Sequence, residues 1–231
     1  VILDGLDHVW RERRSVSDLE RLLGPLLPAP PGVVFLLVTQ PVDDGRLPSC
    51  LLTHAPREGW LKIPLFDEQA TASWATAALQ TERGDEAAAG AEWPGNPMPF
   101  ALALHRLSGG HPLHLRYSLR AVLEHGLPLN AASLAALPGC PSEDIVSYYR
   151  SLWSALGEPA REILHLIACS SFAWPEGGLP DCLEPSGRPA HETLQALREV
   201  RHLLADGGFG VAPYHSSLLV FIRGQADHGP R

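Results

Sequence analysis

Two carboxylates stand near the start of the chain. Asp4 and Asp7 follow Val1-Ile2-Leu3, an apolar run that reads as a short buried strand. A strand ending in an acid places its carboxylate at the C-terminal edge of a parallel sheet, where ligands bind in open α/β folds. An Asp there can hold Mg²⁺, largely through water, because that ion takes oxygen ligands and keeps much of its hydration shell. A second acid three residues on can face the same ligand and orient or deprotonate a water attacking a γ-phosphate. Thr39 closes the next apolar run, Val33-Val34-Phe35-Leu36-Leu37-Val38, and would lie beside Asp4 on that edge. The structural alternatives are two acids in a solvated turn and a strand-ending threonine before Pro41. No G-x-x-x-x-G-K-S/T occurs, so the main phosphate cradle is absent from the chain. Ser216 and Ser217 adjoin His215, but no G-x-S-x-G elbow supports a hydrolase.

The elements that must position these groups follow from local signals. The order strand, helix, strand is the βαβ pattern, and the continuous apolar run at 33–38 predicts a central parallel strand covered on both faces. Ser17-Asp18-Leu19-Glu20 reads as a capping box opening a helix that runs to about Leu27. A third apolar stretch, residues 60–65, precedes a helix that starts near Asp67 and runs from Gln69 to about Thr81. Residues 82–97 are acidic, rich in Gly and Ala and punctuated by Pro, and read as a loop or insertion. Helical signals resume at Phe100 and break at Ser108-Gly109-Gly110. A new helix starts at Pro112, which suits a first helical turn, and reaches Gly126. Residues 127–141 read as a linker. Beyond it, helices carry Ile145 to Leu156 and Ile163 to Ile167, and a further one spans about 190–205. Gly207-Gly208 turns into a β-wing at 209–213, and a last short helix carries Leu218 to Ile222. Three helices with a small wing predict a winged-helix-like module.

Composition narrows the function classes. The 231 residues are 45% hydrophobic and 19% charged, with a formal charge of −8. Acids outnumber Lys and Arg by 15 to 11 in residues 1–142 and by 11 to 7 in residues 143–231. Neither part offers the broad basic field that neutralises nucleic-acid phosphates. A DNA-binding winged-helix regulator is therefore disfavoured, since the 190–205 helix carries Glu192 and Glu199 beside Arg198 and Arg201. No apolar run reaches the length of a membrane span. The four cysteines form no C-x-x-C pair, and reduced thiols in a cytoplasmic protein are expected. The opening strand is expected to have been severed from something upstream, the alternative being a mature N-terminus exposed by processing.

Asp4-Gly5-Leu6-Asp7-His8-Val9 resembles the Walker B segment of the STAND class of P-loop ATPases, which includes the NACHT and NB-ARC families. Leu36-Leu37-Val38-Thr39-Gln40-Pro41 is similar to their sensor-1 strand. Leu107-Ser108-Gly109-Gly110-His111-Pro112-Leu113 resembles the Gly-x-Pro-Leu turn of their helical lid. Val211-Ala212-Pro213-Tyr214-His215-Ser216-Ser217-Leu218 resembles the end of their winged-helix domain. Two positions depart from the pattern: His8 replaces an acid, and Gln40-Pro41 replaces an arginine.

The resemblance implies an α/β fold: the C-terminal half of a parallel-sheet P-loop NTPase core at 1–66, a helical lid at 67–141 and a winged-helix-like domain at 142–231. Asp4 would hold Mg²⁺, Asp7 would be the catalytic acid/base and Thr39 would sense the γ-phosphate. Pro112, with His111 beside it, would pack on adenine, and His215 would latch the winged helix against ADP. The implied function is an ATP/ADP-dependent switch in signalling or defence whose nucleotide state controls opening and self-association. Effector or sensor domains would lie outside the chain, and ATP and Mg²⁺ would bind only with a phosphate-binding loop present. The alternative is a non-catalytic scaffold of the same lineage.

Overall fold

The computed structural model describes residues 1–11, 15–82, 96–139 and 144–225. The chain divides into two compact units, 1–64 and 65–231. Most of the described residues are helical, with one small parallel and one small antiparallel sheet. The loop read at 82–97 falls almost wholly outside the described residues.

In the first unit, β1 (Ile2–Leu3) pairs in parallel with β2 (Leu36–Leu37), Ile2 opposite Leu36 and Leu3 opposite Leu37. Between them lie α1 (Leu6–Arg11) and α2 (Val16–Leu23). Gly5, at φ +75°, adopts the left-handed backbone that turns β1 into α1. Leu3 and Leu37 face a core of Leu6, Leu23, Leu47 and Leu51. The other face is open: Val1, Ile2, Val34 and Leu36 are 66, 70, 78 and 55% exposed. The expected covering on both faces is thus met on one only, because the helices between the strands pack on one side.

The capping box also resolves differently. Ser15, two residues early, caps α2 by accepting the Ser17 amide at 3.2 Å. Glu20 reaches instead to α3 (Ser49–His54), whose own N-cap residue, Pro48, has no side chain to offer. Its carboxylate accepts from the Ser49 amide at 2.5 Å, the Ser49 hydroxyl at 2.8 Å and the Cys50 amide at 2.9 Å. These donors, the Ser49 hydroxyl first, hold the Glu20 carboxyl below its ordinary pKa.

The second unit holds α4 (Glu68–Glu82), α5 (Met98–Ser108), α6 (Pro112–Glu124) and α7 (Ala131–Ala135). It continues with α8 (Ile145–Ala155), α9 (Glu158–Cys169), α10 (Leu179–Leu183) and α11 (Ala190–Val200). The antiparallel hairpin β3 (Leu204–Asp206) and β4 (Val211–Pro213) and helix α12 (Ser216–Arg223) close it. The linker read at 127–141 hides α7: Asn130 caps it on the Ser133 amide at 3.0 Å, and Leu134 is buried.

Helix α6 is the shared wall of two cores. Leu115, Leu119 and Val122 pack with Ala75, Leu79, Phe100, Leu104 and Leu134. Tyr117, on the same helix, belongs to the other core with residues of α8, α9, α11 and α12. Each fully buried leucine stabilises by about 1.5–3 kcal/mol, so removing this helix would expose both cores. Arg120 adds a polar tie, donating to the Leu204 carbonyl at 2.6 Å and to Glu124 at 2.8 Å. The segments read as lid and C-terminal module therefore pack as one compact unit.

Candidate functional site

Two groups of the sequence-selected residues occur, one in each unit. In the first unit the parallel register brings the ends of β1 and β2 side by side. The Val38 amide donates to the Leu3 carbonyl at 2.9 Å, and the Leu6 amide donates to the Val38 carbonyl at 3.2 Å. Asp4 and Thr39, the residues just past these bonds, thus lie on neighbouring strand ends. Asp4 is exposed and Thr39 half-buried, with its hydroxyl donating to the Gln40 carbonyl at 3.0 Å.

Asp7 occupies a different environment. It lies in the first turn of α1, is 1% exposed, and accepts the Gln40 amide on Oδ1 at 3.1 Å. Its carboxylate ties the start of α1 to the chain beyond Thr39. Among the described residues, no three His, Cys, Asp or Glu side chains gather as a metal site. One exposed carboxylate with a neighbouring hydroxyl suits an ion held mainly by phosphate and water, as Mg²⁺ usually is. It does not make an all-protein cage.

In the second unit the turn at 108–111 is held from two sides. The Ser108 hydroxyl donates to the Leu104 carbonyl at 2.9 Å and accepts the Gly110 amide at 3.1 Å. Gly110 has φ +76°, and a Cβ there would stand 2.0 Å from the Phe66 carbonyl oxygen. The Phe66 amide donates to the Gly110 carbonyl at 3.0 Å. This close approach delivers His111 and Pro112 to the head of α6, Pro112 exposed and His111 half-buried.

His215 is the N-cap of α12, accepting the Ser217 amide on Nδ1 at 3.1 Å. The Ser217 hydroxyl lies 2.8 Å from that nitrogen and 2.8 Å from the Tyr149 hydroxyl. Tyr117 follows, its hydroxyl 3.5 Å from that of Tyr149. Arg116 lies over the Tyr214 ring, 4.1 Å from its centroid. Burial lowers the pKa of His111 first, Asp144 opposes the shift, and a charge on His215 deepens it. The Arg116–Tyr214 contact brings together the first turns of α6, which His111 and Pro112 open, and the residue before His215.

No protein-family profile matches the chain, and neither a characterised protein nor a solved structure does. Sequence reasoning missed Arg116, Tyr149 and Ser217. Arg116 and Tyr149 carry no motif, though Arg116 lies one helical turn after Pro112 and shares its face. Ser217 has no supporting context as half of a hydrolase pair, and its hydroxyl instead joins the cap of α12 to Tyr149.

Proposed function

We propose that this chain carries the Walker B, sensor-1, lid and winged-helix segments of an ATP/ADP-dependent switch of the STAND class. The observation that carries the reading is the parallel register of β1 and β2, with Asp4 and Thr39 past adjoining strand ends. A metal–phosphate would be met there by one carboxylate and one hydroxyl. The order α8, α9, α10, α11, β3, β4, α12, helices followed by an antiparallel hairpin, is in keeping with a winged-helix module. The apolar open face of the parallel pair is also in keeping, because such sheets normally have both faces covered. The contact of Arg116, one turn after Pro112, with Tyr214, which precedes His215, is in keeping with a base-and-phosphate contact made by these two segments. The cap uses the Nδ1 lone pair of His215, which puts the ring proton on Nε2.

The scaffold reading retains one specific support. Asp7, the assigned acid/base, is buried against the Gln40 amide, a position suited to holding the turn. Direct DNA binding is not favoured, since Arg188 pairs with Glu162 and Glu192, and Arg201 with Glu176.

Equilibrium binding of labelled ADP and ATP to the full-length gene product, with and without Mg²⁺, tests the switch. Asp4→Ala should weaken Mg²⁺-dependent binding by about tenfold or more, the loss of one charge-assisted contact. Unchanged Mg²⁺-dependent binding and hydrolysis in that variant would remove the role of Asp4. Metal-independent behaviour in the unaltered protein would favour the scaffold.

A further inference from the structure

Helix α6 has two unlike sides. Toward α4 and α5 it turns Leu115, Leu119 and Val122, sealed in an apolar core. Toward the C-terminal set, α8 to α12, it turns rings and polar groups. His114 lies against the Tyr148 ring, centroids 4.2 Å apart, and Tyr117 lies near Tyr148, Tyr149 and Tyr214 at 6.0, 6.2 and 6.2 Å. Arg120 donates to the Leu204 carbonyl, and past the helix end the His125 ring meets that of His202, 5.9 Å away. Surfaces that separate are typically more polar than cores. Two histidines of this seam are buried, His114 at 0% and His202 at 5% exposure. His114 Nε2 lies 3.0 Å from the Pro138 carbonyl oxygen, but Nδ1 of each ring has no hydrogen-bond partner. Buried polar atoms are nearly always satisfied, so each exception calls for a cause. The charged or titratable groups about the two rings are His111, Arg120 and His125 on α6, Tyr148 on α8 and Glu199 on α11. Arg120 is paired with Glu124, and Glu199 is exposed and acts on His202 through its backbone carbonyl. Among the described residues, no carboxylate answers either ring.

We propose that this seam is an acid-operated joint: in mild acid α8 to α12 part from α6 as one body, while the leucine cores on either side stay packed. Parting gives up the burial of Tyr117 and the Arg120 bond but exposes none of Leu104, Leu115, Ile163 or Leu164, so it costs less than unfolding. It also lets both orphaned nitrogens bond water. The joined seam refuses protons. Burial, then the charge of His125, pushes the His202 pKa down to about 3, with the Glu199 carbonyl opposing and Arg120 adding. Burial also pushes His114 down to about 4; the Pro138 carbonyl opposes this and His111 adds to it. Freed rings titrate near pH 6.5, so below that the parted form binds more protons and is favoured. Between pH 7.5 and pH 5.5 the parting equilibrium rises about tenfold for each histidine freed. The joint needs no nucleotide, and it stands whether or not the nucleotide reading does.

A thiol placed in the seam reads the parting. Ser118 is 2% exposed and lines a small cavity with Tyr148 and His202, so it lies between α6 and α8. Ser118→Cys in the full chain is treated with a pyridyl disulfide, which reacts with thiols even in acid. Mass spectrometry follows the modification of position 118 at pH 7.5 and pH 5.5, each rate divided by that of an unfolded peptide of the same sequence. The slowest backbone amides of α5, followed by hydrogen exchange in the same protein, report global unfolding. Labelling should rise about tenfold or more at pH 5.5 and stay well ahead of global unfolding at both values. His114→Gln with His202→Gln should remove the rise. Ala121→Cys, on the same wall, carries the thiol if Ser118→Cys does not fold, and His202→Gln alone serves if the double variant does not. Labelling that ignores pH, labelling no faster than the α5 amides allow, or an undiminished rise in the folded histidine variant would each overturn the proposal.

Discussion

The Asp7 carboxylate accepts the Gln40 amide at 3.1 Å, joining the first turn of α1 to the residue that follows Thr39. The bond spans 33 residues and is nearly sealed from solvent on the Asp7 side. Asp7→Ala should destabilise the protein by about 1.5–3 kcal/mol, the value of a hydrogen bond to a charged group. Asp7→Asn keeps an acceptor oxygen and should cost less. Urea unfolding of the three proteins measures the difference. A neutral effect of alanine would show that the clamp contributes nothing.

Gly110 combines φ +76° with a Cβ position 2.0 Å from the Phe66 carbonyl oxygen. Gly110→Ala should therefore cost more than the roughly 1 kcal/mol of a left-handed backbone alone, because the contact forces the chain apart. Chemical denaturation reads the loss. Gly32 also has positive φ but nothing within 4 Å of its Cβ position, so Gly32→Ala is the control and should cost less.

Arg120 satisfies the Leu204 carbonyl across 84 residues. Arg120→Met keeps most of the aliphatic stem but leaves that carbonyl and Glu124 without their donor. The expected loss is about 1.5–3 kcal/mol, read by thermal or urea unfolding. Amide exchange should accelerate most in β3 and its partner β4.

His215 caps α12 with Nδ1, so its structural and ligand roles separate by substitution. His215→Asn retains a capping oxygen, whereas His215→Ala removes the cap at a cost of about 1 kcal/mol. If the nucleotide role holds, both variants lose ADP affinity in the full-length product while only alanine loses stability. Unchanged ADP affinity in both would leave His215 as a cap alone.

Acid should destabilise the second unit through its buried histidines. His202 and His114 have pKa values lowered to about 3 and about 4, burial being the first cause in each. In the unfolded chain they protonate near pH 6.5, so below that the unfolded state binds more protons and stability falls. The fall runs from about pH 6.5 to the folded values, at up to about 1.4 kcal/mol per pH unit for each histidine. Urea midpoints at pH 7.5 and pH 5 measure it. His202→Gln, which cannot protonate there, should flatten the slope, and an unchanged slope would assign it elsewhere.

What the sequence alone determined is local. Helix starts were legible at Asp67, which caps the Ala70 amide at 2.7 Å, and at Pro112, and the stop at Gly109-Gly110 was legible too. Caps, prolines and left-handed glycines act within one turn of backbone, so residue types suffice to place them. The end of α11 was read too far, because Leu204 and Ala205 suit either a helix or a strand; pairing with Pro213 and Ala212 decides for the strand. The neighbouring ends at Asp4 and Thr39 could be anticipated from the βαβ order. The tertiary structure alone decided that one sheet face stays open, that Glu20 caps α3, that Asp7 is buried, and that Ser118 and His202 share a cavity. Each of these depends on which distant surfaces meet, and no spacing along the chain encodes that distance.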